Sequence, residues 1–360
     1  MKIDNTPVKN PSTENDKTIL ITGGCGFIGS QVVRTFLKET SYRIVNVDLL
    51  TYAGNLENLK GVQEGERYRF YKEDIASPEG MEKIFQKETP SFVVNLAAES
   101  HVDRSVLDAI PFVRTNVLGV QNLLDLSRKY RVEKFLQIST DEVYGSTKDG
   151  AFTEKSPLNP SSPYSASKAS ADLLVLSYFR TFQFPGIIVR PSNNYGPRQF
   201  PEKLIPLMLL NALEKKPLPV YGTGKNIREW IYVEDTAKGI LSVLLKGKPG
   251  EIYNLGSGEE RTNIEIVHLL LSILARKTGS KVDSYLSLIQ FVKDRPGHDF
   301  RYRMDSTKIR KELNFHPSTS LEEGLDITVQ WYLENVSWWR SVRNGEYLQY
   351  YERVYKKGWQ

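Results

Sequence analysis

The chain has 360 residues, room for roughly two ordinary domains, and its 40% hydrophobic and 25% charged content is globular rather than collagen-like or low-complexity. Lysine and arginine exceed the acids by five (48 − 43) with no run of five like charges, which argues against a nucleic-acid-binding arm and leaves room for an anionic small substrate. One cysteine, Cys25, excludes an internal disulfide framework and fits a reducing compartment; no apolar run reaches the roughly 18 residues of a bilayer span; and the polar stretch 1–16 lacks the apolar core of a secretory signal. That stretch reads as a disordered extension, no membrane contact is expected, and cytoplasmic residence is the default.

In chain order, Thr18–Thr22 is a β-branched run ending in glycines, followed by a helical pattern over 30–39. Strand-like runs recur at Ile44–Val47, Tyr68–Tyr71, Phe92–Leu96, Phe135–Ile138 and Ile187–Val189. Helical patterns lie between most of them, at Met81–Lys87, Val113–Tyr130 and Tyr164–Phe182. Such alternation predicts an α/β fold with a Rossmann-type, doubly wound parallel sheet. After Gly196 prolines cluster and the alternation breaks down. Two pieces, Trp230–Val233 and Ile252–Leu255, are expected to return to the sheet, with helices at Asn263–Lys277, Ser306–Leu313 and Leu321–Asn335. The division read from this is a Rossmann domain over 17–195 with returns near 230–257, and a smaller C-terminal substrate-binding domain from 196–229 and 258–360. The Trp- and Tyr-rich tail after Ser337 is expected to pack.

Gly23, Gly26 and Gly29 follow the first strand and open the first helix. Glycines there let the backbone approach a pyrophosphate, which the helix N-terminus attracts. Asp48 ends the second strand, 19 residues after Gly29 (48 − 29); a carboxylate there can hold an adenosine ribose and repels a 2′-phosphate, favouring NAD. Cys25 reads as a small residue in a crowded turn. Asp74-Ile75 follows the third strand and is placed to meet the adenine.

Ser139-Thr140-Asp141-Glu142 follows the strand Phe135–Ile138, at the end that faces ligand in open α/β sheets. Adjacent acids in different surroundings can divide the roles of acid and base. Ser161 or Ser162 is a plausible helix cap and Pro163 a first helical residue, which puts Tyr164 and Lys168 at i and i+4 on one face. An ammonium there is expected to draw the Tyr164 pKa towards neutrality and make it a general base. The histidines, His101, His268, His298 and His316, show no metal-ligand spacing, so no metal is expected, and no Gly-x-Ser-x-Gly elbow is present.

The glycine loop, Ser139-Thr140 and the Tyr164/Lys168 pair resemble the extended short-chain dehydrogenase/reductase family. Longer stretches resemble its nucleotide-sugar 4,6-dehydratases, specifically those acting on dTDP-glucose: Leu50–Leu56, Leu96–Ser105, Thr140–Gly145, Ser192–Pro197, Phe200–Pro206 and Asp294–Asp299. The resemblance runs from Ile19 to about Asn335, and within the superfamily the Asp-Glu pair is specific to the dehydratases. It implies a lyase that takes dTDP-glucose to dTDP-4-keto-6-deoxyglucose. Tyr164, helped by Lys168, would take the 4-hydroxyl proton while hydride leaves C4 for NAD, with Thr140 bonding that hydroxyl. Glu142 would remove the C5 proton, protonated Asp141 would donate to the departing 6-hydroxyl, and the hydride would return to C6.

The resemblance also implies cofactor contacts at Gly23, Gly26, Phe27, Ile28, Gly29, Asp48, Thr51, Asp74, Ile75, Leu96, Ala97, Ala98, Thr115, Tyr164, Lys168 and Asn194. Substrate contacts are implied at Ser100, Thr140, Asn193, Lys203, Leu204, Pro219, Tyr221, Arg228, Asn263, Arg295 and His298, the two arginines suiting a diphosphate. His101 reads either as part of this motif or as a packed polar residue. A homodimer through the helices near Val113–Tyr130 and Tyr164–Phe182 is implied, as is a place in deoxysugar biosynthesis towards dTDP-rhamnose and cell-surface polysaccharide. UDP-glucose stays open as the substrate. An epimerase would not need the Asp141-Glu142 pair, a decarboxylase would lack the full pair, and a non-catalytic nucleotide sensor would be expected to lose Tyr164, Lys168 or the acids.

Overall fold

The computed structural model describes residues 17–294, 297–343, 347 and 351–352. The expected disordered extension lies outside the described residues, as does most of the tail beyond Arg343. The chain's first half builds β1 (Thr18–Thr22), α1 (Phe27–Glu39), β2 (Arg43–Asp48), β3 (Tyr68–Lys72), α2 (Pro78–Glu88), β4 (Phe92–Asn95) and a short α3 (Val102–Leu107). Then come α4 (Ile110–Val113), α5 (Val120–Lys129), β5 (Lys134–Ile138), α6 (Pro163–Phe182) and β6 (Gly186–Pro191). With β10 (Ile252–Leu255) the first six strands form one sheet in the order β10-β6-β5-β4-β1-β2-β3. Every pairing in it is parallel, for example Ile19 with Ile44 on one side and with Phe92 on the other.

Why these runs pair this way is visible in their alternation. Ile19, Ile21, Ile44, Val94, Leu136, Ile187 and Val189 face α1 and α8 (Val233–Lys246). Leu20, Val45, Val47, Val93, Phe135 and Ile188 face α2, α5 and α6. A strand buried on both faces must be apolar at consecutive positions, which is the pattern of these segments. The strand order reverses between β1 and β4, and at that crevice the glycine loop and the segment after β4 diverge.

The remaining strands are β7 (Asn193–Tyr195), β8 (Leu218–Tyr221), β9 (Ile227–Tyr232), β11 (Glu260–Thr262) and β12 (Ile289–Val292). They form two small sheets, β11-β9-β7 and β12-β8. The expectation that Trp230–Val233 returns to the central sheet is therefore corrected. β10 alone takes the free edge of β6, with Ile252 opposite Ile188, while β9 pairs with β7 and β11. Trp230 and Tyr232 point into a second core and Ile231 into the first, so β9 lies across their junction. Val233 opens α8.

That second core is made by α7 (Leu204–Leu213), α9 (Asn263–Thr278), the one-turn α10 (Asp283–Leu286), α12 (Leu321–Glu334) and α13 (Val336–Val342). α11 (Thr307–Leu313), which follows β12 in sequence, instead packs on the first sheet through Ile309 and Leu313. In the tail, Trp338, Trp339, Val342 and Tyr347 are buried. One further difference is local. The single helix expected over Val113–Tyr130 contains a π-helical segment, Arg114–Gly119, between α4 and α5. A π segment adds a residue to a turn and often sits at a functional site; here it carries Thr115 to the crevice.

Candidate active site

The glycine loop is built where the backbone leaves no space for side chains. Gly23 is left-handed (φ 71°), and a Cβ on it would stand 2.6 Å from the Ala97 nitrogen. A Cβ on Gly29 would stand 2.0 Å from the Gly23 carbonyl oxygen. α1 begins at Phe27 with Gly26 as its cap and no capping side chain, so its first N–H groups face the crevice unfilled. Asp48 accepts hydrogen bonds from the backbone N–H of Cys25 (2.9 Å) and of Leu50 (2.8 Å). It therefore shapes the loop as well as facing the cavity. Cys25 is fully buried, and burial, with Asp48 adding to it, pushes its thiol up to about 12. Such a thiol is inert, in keeping with a packing role.

Opposite the loop, β5 ends at Ile138 and Asp141–Tyr144 form one tight turn capped by the Thr140 hydroxyl, which accepts from Glu142 N–H at 3.3 Å. Asp141 is 4% exposed. Thr140 donates to one of its oxygens (3.1 Å), and the other, Oδ2, has no partner among the described residues. Burial first, then the Glu142 charge, pushes the Asp141 carboxyl up to about 8. Asp141 therefore holds its proton at neutral pH beside the Glu142 carboxylate.

This has a consequence for stability. From the ordinary aspartate range up to about 8 the folded chain binds the Asp141 proton and the unfolded chain does not, so stability falls as pH rises through that window. Asp141→Asn removes the titrating group. Its Tm should exceed the parent's by a margin that grows from about pH 6 to about pH 9. Thermal melts at the two ends of that range check this, and a constant margin would contradict the neutral state.

α6 starts with a complete capping box between Ser162 and Ser165, and Pro163 occupies its first turn. Tyr164, Lys168 and Asp172 then share one face. Lys168 donates to the Ile138 carbonyl (2.6 Å), and burial pushes its amine down to about 8, opposed by Asp172. Asp172 is itself paired with Arg190 (2.9 Å), both buried, and Arg190 lies over the Tyr144 ring. The expected fall of the Tyr164 pKa is corrected: the phenol is raised. Burial is the main cause and the Glu142 charge the next, while a Thr140 hydrogen bond acts the other way.

One cavity of about 300 Å³ runs from the glycine loop to these groups. Every residue expected to touch the cofactor lines it, from Gly23 through Asp48, Asp74 and Thr115 to Asn194, together with Thr140, Asp141 and Glu142. Ser100, Asn193 and Lys203 line it too. A second cavity of about 150 Å³ continues from Glu142, Asn193 and Lys203 to Leu204, Pro219, Tyr221, Arg228, Asn263 and His298. Arg295 lies outside the described residues. Arg228 is buried, with its guanidinium on the carbonyls of Ile227 (2.7 Å) and Asp299 (3.0 Å) and over the Tyr302 ring. Lys203 donates to the Ser100 carbonyl (3.0 Å), and His298 bonds Asp294 (2.6 Å). His101 is buried at the start of α3, its ring nitrogen 3.4 Å from the Glu202 carbonyl oxygen.

Several side chains on the cavity fall outside the residues assigned from sequence, Glu202 foremost. Glu202 is buried and accepts from the Tyr52 hydroxyl (3.0 Å) and Arg104 Nε (3.1 Å), with the Arg104 guanidinium over the Tyr52 ring. All three residues fall inside segments that carry the family resemblance, which was the available signal. Gln199 and Phe200 were likewise unassigned.

A dinucleotide fits what is present. The glycine cradle is a space that any Cβ would fill. The buried oxygens of Asp141, Ser192, Asn193, Asn194 and Gln199 that face the cavity residues have no partner among the described residues. Buried polar atoms of this kind ordinarily find one. Among the described residues no group of three His, Cys, Asp or Glu side chains could hold a metal ion, and no helix is long and apolar enough to cross a membrane.

The family described as GDP-mannose 4,6 dehydratase matches residues 20–328. A dTDP-glucose 4,6-dehydratase of Neisseria meningitidis serogroup B is 50% identical over 345 residues, covering 92% of this chain and 97% of its own. Among solved structures, a dTDP-glucose 4,6-dehydratase from Bacillus anthracis in complex with NAD superposes with a TM-score of 0.83 at 46% identity, covering 91% of this chain and 99% of that one. Another from Streptomyces venezuelae, with NAD and TYD bound, gives 0.85 at 44% identity over 90% of this chain and 99% of that one. On its fold, its paired acids and these likenesses, the chain belongs to the dTDP-glucose 4,6-dehydratase family.

Proposed function

We propose that the protein is an NAD-dependent lyase that converts dTDP-glucose to dTDP-4-keto-6-deoxyglucose. The observation that carries this is the unequal acid pair: Asp141 neutral and buried, Glu142 beside it, both on one cavity with Thr140 and Tyr164. Gly23, Gly26 and Gly29 would hold the cofactor diphosphate at the start of α1, Asp48 its ribose, and Asp74 and Ile75 its adenine. NAD, when bound, supplies the reversible two-electron exchange that oxidation at C4 and reduction at C6 require.

The chain's own side chains do the rest. Tyr164 receives the proton of the 4-hydroxyl as the phenolate, having lost its own proton to solvent, while Thr140 orients the hydroxyl. Burial and Glu142 oppose that state, and Lys168, with the positive nicotinamide that bound NAD would bring, favours it. Lys168, one helical turn on, is the cation available to a Tyr164 phenolate. Its amine, pushed down to about 8 by burial, stays mostly charged at neutral pH. A carbonyl at C4 acidifies the C5 proton, which Glu142 takes. The C6–oxygen bond breaks as Asp141 gives its proton to the departing hydroxyl, which leaves as water. A carboxyl whose pKa is pushed up to about 8 is suited to that donation.

We read the core of α7, α9, α12 and α13 as the nucleotide-sugar-binding part. Its face towards the crevice holds Leu204, Asn263, Arg228 and His298 beside Glu142. Arg228, held on backbone carbonyls, and Arg295 would meet the diphosphate. An epimerase reading leaves the buried, protonated Asp141 without a task. The experiment is turnover of purified protein, with no added reductant, on dTDP-glucose and separately on UDP-glucose. The alkali-induced absorbance of a 4-keto-6-deoxy sugar is expected with the first. Product from UDP-glucose alone would move the assignment to that substrate, and product from neither would refute it.

The exposed apolar side chains of Ile110 (74%), Leu118 (59%) and Leu173 (57%) lie on α4, the π segment and α6, which pack together. They support a homodimer through this face; sedimentation that returns only the 41.1 kDa monomer at micromolar concentration would contradict it. A reducing, cytoplasmic setting and a role in deoxysugar biosynthesis for surface polysaccharide, including dTDP-rhamnose, belong to the same proposal.

A further inference from the structure

A further polar cavity, about 310 Å³, shares no lining residue with the catalytic cavities and is lined by Arg34, Glu57, Lys60, Arg198, Trp331 and Trp338 among others. Its size is at the lower end of small-molecule sites, roughly 300–1,000 Å³. Its charge is unbalanced. Arg34, Lys60 and Arg198 face one carboxylate, Glu57, and none of the three forms an ion pair with a described residue.

Arg198 is the unusual member. It is half-buried and donates no hydrogen bond to a described residue. Its one contact of note is with the Trp331 ring, 5.4 Å from guanidinium carbon to centroid. Its backbone is left-handed (φ 69°), a conformation that costs a non-glycine residue about 1 kcal/mol or more. Burial first, and then the nearby Arg34, push its pKa down to about 10. Arg34 is fixed by the carbonyls of Asn58 (2.9 Å) and Lys60 (2.7 Å), which leaves Nη1 without a hydrogen-bond partner among the described residues. Two guanidinium groups on one cavity wall supply the forked donors that phosphate oxygens take.

We propose that this cavity binds a phosphate-class anion between Arg34 and Arg198, with Lys60 at its rim and the Trp331 ring as its floor. The site is separate from the catalytic cavity but mechanically joined to it. Trp338 donates to the Asn58 side chain (2.8 Å), and Asn58 in turn donates to the Cys25 carbonyl (2.8 Å) within the glycine loop. Arg198 is also bonded in sequence to Gln199, which lines the catalytic cavity. The inference does not depend on which nucleotide sugar the enzyme uses.

The test is isothermal titration of pyrophosphate into protein already saturated with NAD and thymidine diphosphate, so that the catalytic cavities cannot take the probe. One pyrophosphate per chain is expected, with a Kd below roughly 1 mM that weakens with salt. Arg198→Gln and the rim substitution Lys60→Glu should each weaken it by about tenfold or more, while Arg198→Lys retains part of the affinity. Lys60 is exposed, so its variant keeps the test valid if Arg198→Gln fails to fold. Glucose 1-phosphate serves as a second probe: binding tighter than pyrophosphate identifies a phosphorylated metabolite, and weaker binding the inorganic anion, either of which upholds the site. No saturable heat from pyrophosphate or glucose 1-phosphate up to about 10 mM, or affinity unchanged by both substitutions, would overturn it.

Discussion

Glu142→Gln should stop product formation while leaving C4 oxidation possible. The expected loss in turnover is roughly 10²–10⁴-fold, the usual contribution of a positioned base. The amide keeps the shape of the side chain and removes its ability to take the C5 proton. It also removes the charge that helps raise both Asp141 and Tyr164, so both groups should titrate lower in the variant. Mixed with excess dTDP-glucose and NAD, the variant should build up reduced-nicotinamide absorbance that the parent does not hold. Parental turnover would refute the assigned role.

Tyr164→Phe should fail one step earlier. With no tyrosine oxygen at the 4-hydroxyl, oxidation itself loses the phenolate that would accept its proton, and a fall of roughly 10²–10⁴-fold is expected in that step. Neither product nor reduced-nicotinamide absorbance should accumulate. The ring remains packed edge-on against Phe112, so the substitution leaves the core in place. Reduced nicotinamide forming at the parental rate would show that another group accepts the proton. The contrast between the two variants separates oxidation from elimination in a way that neither variant alone can.

How much of this was legible in the sequence follows from what each signal depends on. The central sheet was legible because its strands are buried on both faces, which forces consecutive apolar residues such as Ile19, Leu20 and Ile21. The glycine loop was legible because Gly23 and Gly29 have no tolerable substitute there. The helix start at Pro163, with its cap at Ser161 or Ser162, and the spacing of Tyr164 and Lys168 are local, so they too could be read; the cap is Ser162.

The rest depends on tertiary placement. β9 alternates like any strand, and nothing in Trp230–Tyr232 says which edge it joins; the choice was made by β10 occupying β6. The π segment at Arg114–Gly119 preserves a helical pattern on either side of it and so reads as unbroken helix. The direction of the Tyr164 shift was misjudged because spacing reports that Lys168 is near. It does not report that the lysine donates to Ile138 or that Glu142 stands close enough to oppose ionisation. Glu202 was overlooked because its partners, Tyr52 and Arg104, are remote in sequence.

The central claim is that oxidation, elimination and reduction occur on one sugar in one cavity. The fate of a deuterium placed at C4 of dTDP-glucose tests it most directly. Incubated with the purified protein, catalytic NAD and no other reductant, the label should be found at C6 of the 4-keto-6-deoxy product, and a mixture with unlabelled substrate should show no exchange between molecules. Label lost to solvent, or a product that keeps its 6-hydroxyl, would contradict the account.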